Sequence, residues 1–328
     1  MFVLLGSEEQ SKAVVEKFQP ELKVSVRAMH VAMMKDPSKR VEVETRIEPG
    51  RMLVSKVVLP LSPLYKAKLE QLYRRFGSPN GEGFEAVLAI ILMRYDALKG
   101  SVYQAGIPPA VMEVLKKDFG VFMECFASPL NCYFPRYCSM FTDDFAFGSV
   151  GSFFQFRPLD GSFLAFPPLV SSVVDESVKH IEELLIGSNR ALSFILVIHG
   201  NVADSAPFMQ TALTSRFFVH RMLFAAKEHA LTDGQAFRKS SLLKLAVAPT
   251  TFLFLQNEAG TKRWPPADEE KLTKLRNAFA GRKDEASKSA VPVVQDEPKV
   301  EAPVSSNWKS LKKKIKIADK ATKKPKVK

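Results

Sequence analysis

Four apolar runs, separated by polar or helix-like chain, constrain this sequence more than any other feature. They are Val121–Phe126, Ser162–Phe166, Leu192–Ile198 and Thr250–Gln256. The first stops at Ala127-Ser128-Pro129-Leu130-Asn131, the second at Pro167-Pro168 and the third at His199-Gly200-Asn201. A strand buried on both faces needs a nearly unbroken run of β-branched and aromatic residues. Helical segments are expected between these runs, at Val170–Leu185 and Ser215–Ala230. Alternation of this kind predicts βαβ units and a mainly parallel sheet, hence an α/β domain over residues 120–280.

Within that domain, Gly161-Ser162-Phe163-Leu164-Ala165-Phe166-Pro167-Pro168-Leu169 stands out. Two prolines have no N–H to donate and fixed φ angles, so they place a rigid turn at the carboxyl end of a strand. Open α/β sheets bind ligands at that end. His199 is the one histidine expected at a strand's carboxyl end, whereas His180, His220 and His229 fall in segments read as helical. Phe147-Gly148-Ser149-Val150-Gly151 has glycines but no capped helix after it, which argues against a phosphate loop.

Residues 1–60 carry no motif and stay unassigned, with one alternating stretch, Val41–Ile47, predicted as a half-exposed strand. Over residues 61–119 the texture is helical. Leu61, Leu64, Tyr65, Leu69, Leu72, Tyr73 and Phe76 recur at intervals of three and four, and further helices are expected at Phe84–Leu98 and Pro109–Phe119. A polar helix is expected over Asp268–Ala280. Residues 281–328 are rich in Lys, Glu, Ser, Pro and Val and predict a disordered basic tail.

Charge is concentrated in that tail. The chain carries a net +12; Lys309–Lys328 holds ten lysines against Asp319, a net +9, which leaves +3 for the other 308 residues. The body is therefore not a strongly basic nucleic-acid platform. Lys312-Lys313-Lys314 and Lys323-Lys324-Pro325-Lys326-Val327-Lys328 suit nuclear import factors or non-specific contact with RNA phosphates. The expected location is the nucleus, with no membrane association: no run of about 18 apolar residues occurs, and the amino-terminal residues lack signal-peptide character. Cys125, Cys132 and Cys138 include no Cys-x-x-Cys pair and no neighbouring histidine, so they read as small buried side chains and no metal site is expected.

Several of these segments together resemble one family. Glu124 to Phe134, Tyr137-Cys138-Ser139, Phe147-Gly148-Ser149 and Pro158 to Phe163 are similar to the phosphorylated C-terminal-domain interacting factors. Leu192 to Ile195, Phe254 to Asn257 and Trp264 extend the likeness over roughly residues 83–264. That family comprises cap-specific mRNA adenosine N6-methyltransferases. The resemblance implies a Rossmann-like, S-adenosylmethionine-dependent methyltransferase fold with an N-terminal helical module. It also implies capped mRNA or other RNA as partner, and RNA polymerase II or a protein partner subunit besides. Glu124, Phe126, Ser128 and Asn131 are the implied cofactor-binding residues.

The family's catalytic motif is Asn-Pro-Pro-Phe, matched here by the degenerate Phe166-Pro167-Pro168-Leu169. In the motif an amide oxygen and a proline carbonyl accept the hydrogens of an exocyclic amine, and the aromatic ring stacks on the base. Phe166 has no acceptor, and Leu169 cannot stack. Ser171 stands where the family has a substrate-contacting acid, and His199 to Asp204, with Asn201 and Asp204 as substrate-binding candidates, replaces its Pro-Glu-Trp-Arg-Glu-Pro loop. Neither tryptophan sits in a Trp-Trp domain context. Losing one preorganised acceptor costs on the order of a hundred- to a thousandfold in rate. Two readings follow: a weakened adenine N6-methyltransferase, or a pseudomethyltransferase that serves as an RNA- or protein-binding subunit.

Overall fold

A computed structural model describes residues 44–78, 83–98, 104–238 and 243–280. The lysine tail, Val41–Val43 and the Pro79–Glu82 part of the expected helix break lie outside the described residues. The chain divides at Leu59–Pro60 into two units.

A β-meander of β1 (Thr45–Glu48), β2 (Arg51–Val54) and β3 (Val57–Pro60), in that sheet order, makes up the described part of the first unit, the last residue of β3 being the first of the second unit. Glu48 pairs with Arg51, so Pro49-Gly50 closes a two-residue turn, with Gly50 at φ +77. Proline followed by a positive-φ glycine is the chemistry of a type II turn. The expected strand at Val41–Ile47 is thus met by β1 over Thr45–Glu48, and the two strands after it are new.

The second unit opens with α1 (Pro63–Phe76), α2 (Phe84–Ala97) and α3 (Pro109–Phe119), as the periodicity predicted. Pro63 starts α1 at a position where its missing N–H costs nothing, and Gly120 ends α3 in the left-handed conformation at φ +67. A side chain at Gly120 would fall on the indole of Trp264, so the glycine also allows that close approach.

The central sheet contains β4 (Val121–Glu124), β5 (Gly161–Ala165), β6 (Leu192–His199), β7 (Phe218–Phe224) and β10 (Thr250–Gln256) in the order β4-β5-β6-β10-β7. Strands β4, β5 and β6 pair in parallel, and β10 pairs antiparallel with both β6 and β7. Four strands therefore run one way and β10 alone runs the other, which makes the sheet mixed. Helix α4 (Ser171–Ile186) joins β5 to β6, and α5 (Pro207–Thr214) joins β6 to β7. A small ribbon of β8 (Ala230–Thr232) and β9 (Leu243–Leu245) precedes β10, which α6 (Glu258–Arg263) and α7 (Glu269–Ala280) follow.

The expected helix over Ser215–Ala230 is a correction. Its centre is β7, the helix lies earlier at Pro207–Thr214, and His220 and His229 leave their predicted helical settings. Residues 217–224, Phe-Phe-Val-His-Arg-Met-Leu-Phe, are aromatic- and β-branched-rich and fit helical and strand spacing alike. Pairing of Phe218–Phe224 along β10 decides for the strand.

Two cores sandwich the sheet. On one face Phe163, Ala165, Phe194, Leu196, Leu253 and Leu255 meet Val174, Val178 and Ile181 of α4 and Met209 of α5. On the other, Leu164, Ile195, Val197, Phe252 and Phe254 meet Val111, Met112 and Leu115 of α3 and Leu275 and Phe279 of α7. Coverage of both faces explains why β5, β6 and β10 carry nearly unbroken apolar runs.

Candidate functional site

The candidate site lies at the carboxyl ends of β4, β5 and β6, where three turns meet. After β4 the chain folds back on itself. Glu124 is buried, and its Oε2 accepts the Tyr133 N–H at 2.6 Å and the Phe134 N–H at 3.1 Å. Burial raises its pKa from 4.5 to about 7, against the lowering effect of the two backbone bonds and the Lys68 charge. From α1, the buried Lys68 donates to the carbonyls of Leu130 at 3.3 Å and Cys132 at 2.7 Å. The run that carries the family resemblance is thus braced from inside by an acid and from α1 by a lysine. Cys125, Cys132 and Cys138 are buried free thiols within and beside it.

Ser128 and Asn131 close the turn together. The Ser128 N–H and hydroxyl donate to Asn131 Oδ1 at 2.7 and 3.0 Å, and the Asn131 N–H donates to the serine oxygen at 3.3 Å. Asn131 Nδ2 donates to the Gln104 carbonyl at 3.0 Å. Gln104 Oε1, buried beside this turn, has no hydrogen-bond partner among the described residues. Phe126 packs on the core, its ring 5.1 Å from that of Phe153.

The second turn, Phe166-Pro167-Pro168-Leu169, follows β5. Phe166 packs with Tyr133 against the α3 face of the core. Pro167 is buried, and the Pro168 carbonyl accepts from the Val170 N–H at 2.7 Å, which starts α4 tightly. Leu169 is exposed on the turn and touches the third loop at Gly200. Gly200 has φ +154, and a Cβ there would collide with Leu169 Cδ2. Ser171 is the exposed first residue of α4.

In the third loop Asn201 is exposed. Asp204 is exposed too, and its Oδ2 accepts from Arg221 Nη1 at 2.8 Å, a bond that holds its pKa below the usual range. The structure therefore brings Phe166, Pro167, Pro168, Leu169 and the His199–Asn201 corner together, while Asp204 is engaged by β7.

Sequence reasoning did not connect His199 to its partners. Its Nδ1 lies 2.8 Å from Thr250 Oγ1, the same oxygen lies 2.7 Å from His229 Nε2, and His229 Nδ1 lies 2.9 Å from the Ala225 carbonyl. Burial lowers the pKa of both histidines, the Pro249 carbonyl acting against it at His199 and the Ala225 carbonyl at His229. Lys68 and Gln104 were also unmarked, because an interior lysine of an amphipathic helix looks like any other in sequence.

S-adenosylmethionine offers an ammonium group and ribose hydroxyls as donors. An unpaired buried acceptor at Gln104 beside the Ser128–Asn131 turn fits such a donor.

The family described as "Phosphorylated CTD interacting factor 1 WW domain" matches residues 68–234, just over half of the chain. Neither tryptophan, Trp264 nor Trp308, lies in that stretch, so the shared part is the helical and α/β body. The mRNA (2'-O-methyladenosine-N(6)-)-methyltransferases of Homo sapiens and Mus musculus are each 35% identical over 295 residues, covering 77% of this chain and 42% of the relative. The chain thus spans less than half the length of these curated relatives. Its α/β body, its double-proline turn and the match over residues 68–234 place the chain in the phosphorylated CTD interacting factor 1 family.

Proposed function

We propose that this chain is a Rossmann-like, S-adenosylmethionine-binding protein that transfers a methyl group to the N6 amine of an adenine at a capped mRNA end. The observation that supports this most is the double-proline turn at the carboxyl end of β5, flanked by the braced β4 loop, in a chain 35% identical to relatives named for that reaction. In this reading Gln104, Phe126, Ser128 and Asn131 hold the cofactor, Glu124 and Lys68 keep their loop in shape, and the base lies against Pro167, Pro168 and Leu169. Asn201 and Ser171 border the base, and Asp204 contributes through Arg221. The cofactor, when bound, supplies an electrophilic methyl group on sulfur. The protein's part is to orient the amine and exclude water, with the Pro167 carbonyl as the acceptor, since the Pro168 carbonyl is engaged by the Val170 N–H and neither proline has an N–H to compete.

Phe166 favours a second reading, a pseudomethyltransferase that binds RNA or a protein partner without turnover, because its ring supplies no acceptor for the amine. Nuclear location, import through the lysine tail and contact with a phosphorylated polymerase tail belong to this proposal as well. A tritiated-methyl transfer assay on RNA beginning with a capped 2′-O-methyladenosine separates the readings. Turnover above a heat-inactivated control supports methyl transfer; cofactor binding with no turnover refutes it in favour of the pseudoenzyme.

A further inference from the structure

We infer that His199 is a ligand-facing hydrogen-bond acceptor, locked in its Nδ1–H tautomer by Thr250 and His229, and that its Nε2 receives the exocyclic N–H of a bound adenine. This inference rests on the adenine-binding reading above.

Proton counting fixes the tautomers. A carbonyl can only accept, so His229 Nδ1 must carry the hydrogen that meets the Ala225 oxygen at 2.9 Å. A neutral His229 then has a bare Nε2, which accepts the one hydroxyl hydrogen of Thr250 at 2.7 Å. That hydrogen is now used, so Thr250 Oγ1 meets His199 Nδ1 at 2.8 Å only as an acceptor, and His199 Nδ1 must donate. The Pro249 carbonyl, the other partner of the His199 ring, can only accept and so shares that Nδ1 hydrogen, which leaves Nε2 with a lone pair. Thr250 and His229 are buried, so water cannot substitute for either of them. The lowered pKa of both rings keeps them neutral near pH 7.

Position gives the lone pair its use. His199 is the last residue of β6, only partly buried, and next to Gly200, which touches Leu169 of the proline turn. Alternation along β5 and β6 puts Phe166 and His199 on the same face as Leu164 and Val197. On that face Phe166 brings a hydrocarbon ring, while His199 brings the acceptor. Thr250 and His229 are positioning residues that act through His199.

Imidazole 15N–1H correlation spectra test this without any need for turnover. Wild-type protein is expected to show His199 and His229 both as Nδ1–H, the minor tautomer of free histidine. Thr250→Ser should keep both signatures, and Thr250→Val should return His199 toward Nε2–H. Adenosine 5′-monophosphate should move the His199 Nε2 resonance, whereas its N6,N6-dimethyl analogue, which has no amine hydrogen, should not. His199→Ala should weaken adenosine monophosphate binding by about five- to tenfold. An Nε2–H His199 in the wild-type spectrum, or an Nε2 resonance unmoved by adenosine monophosphate, overturns the inference. If Thr250→Val fails to fold, the wild-type spectra still decide. Absent methyl transfer with these signatures intact would refute the enzymatic reading and leave this inference standing.

Discussion

Replacing Glu124 by glutamine should make the protein's stability less dependent on pH. The carboxyl is fully enclosed, and its pKa rises from 4.5 to about 7 because burial penalises the anion more than two N–H donors and Lys68 reward it. A raised carboxyl pKa means that the folded state holds its proton where the unfolded chain has released it. Stability from this group is therefore complete below pH 4.5 and is lost as the pH rises to about 7. At 1.36 kcal/mol per pH unit, that interval amounts to about 3 kcal/mol. Glutamine has nearly the same shape, and its amide oxygen can accept from Tyr133 and Phe134 as Oε2 does, at 2.6 and 3.1 Å. The variant should match wild type to within about 1 kcal/mol near pH 4.5 and exceed it by up to about 3 kcal/mol at pH 8. Urea denaturation of both proteins across that range gives the difference directly, and other titrating groups cancel in the subtraction. A difference that stays flat, or that turns against the variant with rising pH, would refute the assignment of Glu124 as a buried acid that the fold holds protonated toward neutral pH.

Asn257 caps α6 through its Oδ1, which accepts from Gly260 and Leu192 N–H groups at 2.8 and 3.1 Å, while its Nδ2 donates to Ser188 and Arg190 carbonyls at 3.0 and 2.7 Å. Asn257→Ala should cost about 2–4 kcal/mol in denaturant unfolding, and a loss below 1 kcal/mol would contradict that clamp. Gly200→Ala should destabilise by about 1–2 kcal/mol from its φ of +154 and the collision with Leu169; adding Leu169→Ala should recover part of the loss, and calorimetric melting of the single and double variants measures the recovery. Lys68→Met should leave the Leu130 and Cys132 carbonyls without their donor and weaken S-adenosylmethionine binding by about tenfold in calorimetric titration; unchanged affinity would contradict its role in shaping the loop. Phe166→Asn should raise methyl transfer at least tenfold if the missing acceptor limits turnover, and unchanged or lower turnover would contradict that cause.

Much of this architecture was legible because burial on two faces leaves a plain mark. Strands β4, β5, β6 and β10 fall within a few residues of the four apolar runs, and α4 begins one residue from its expected start. Strand β7 was misread because an edge strand pairs on one side only and its mixture of phenylalanine, histidine and arginine satisfies two periodicities. The hairpin at Pro49-Gly50 was missed because its strands are only four residues long, too short to show alternation. At the site, the β4 loop and the proline turn announced themselves as contiguous segments. The His199–Thr250–His229 chain could not do so, since its members are 51 and 21 residues apart and only the antiparallel pairing of β6 with β10 sets His199 opposite Thr250. Asn257 stood within a segment shared with the family, and its role as a structural clamp emerged only from the fold.

Titration of S-adenosylmethionine into the protein by calorimetry, with wild type beside Gln104→Leu, tests most directly whether the carboxyl ends of β4, β5 and β6 form a cofactor site. The expected result is one-to-one binding by wild type that Gln104→Leu weakens by about tenfold, as loss of a buried acceptor for a charged donor implies. No heat of binding in wild type, or equal affinity in the two proteins, would contradict it.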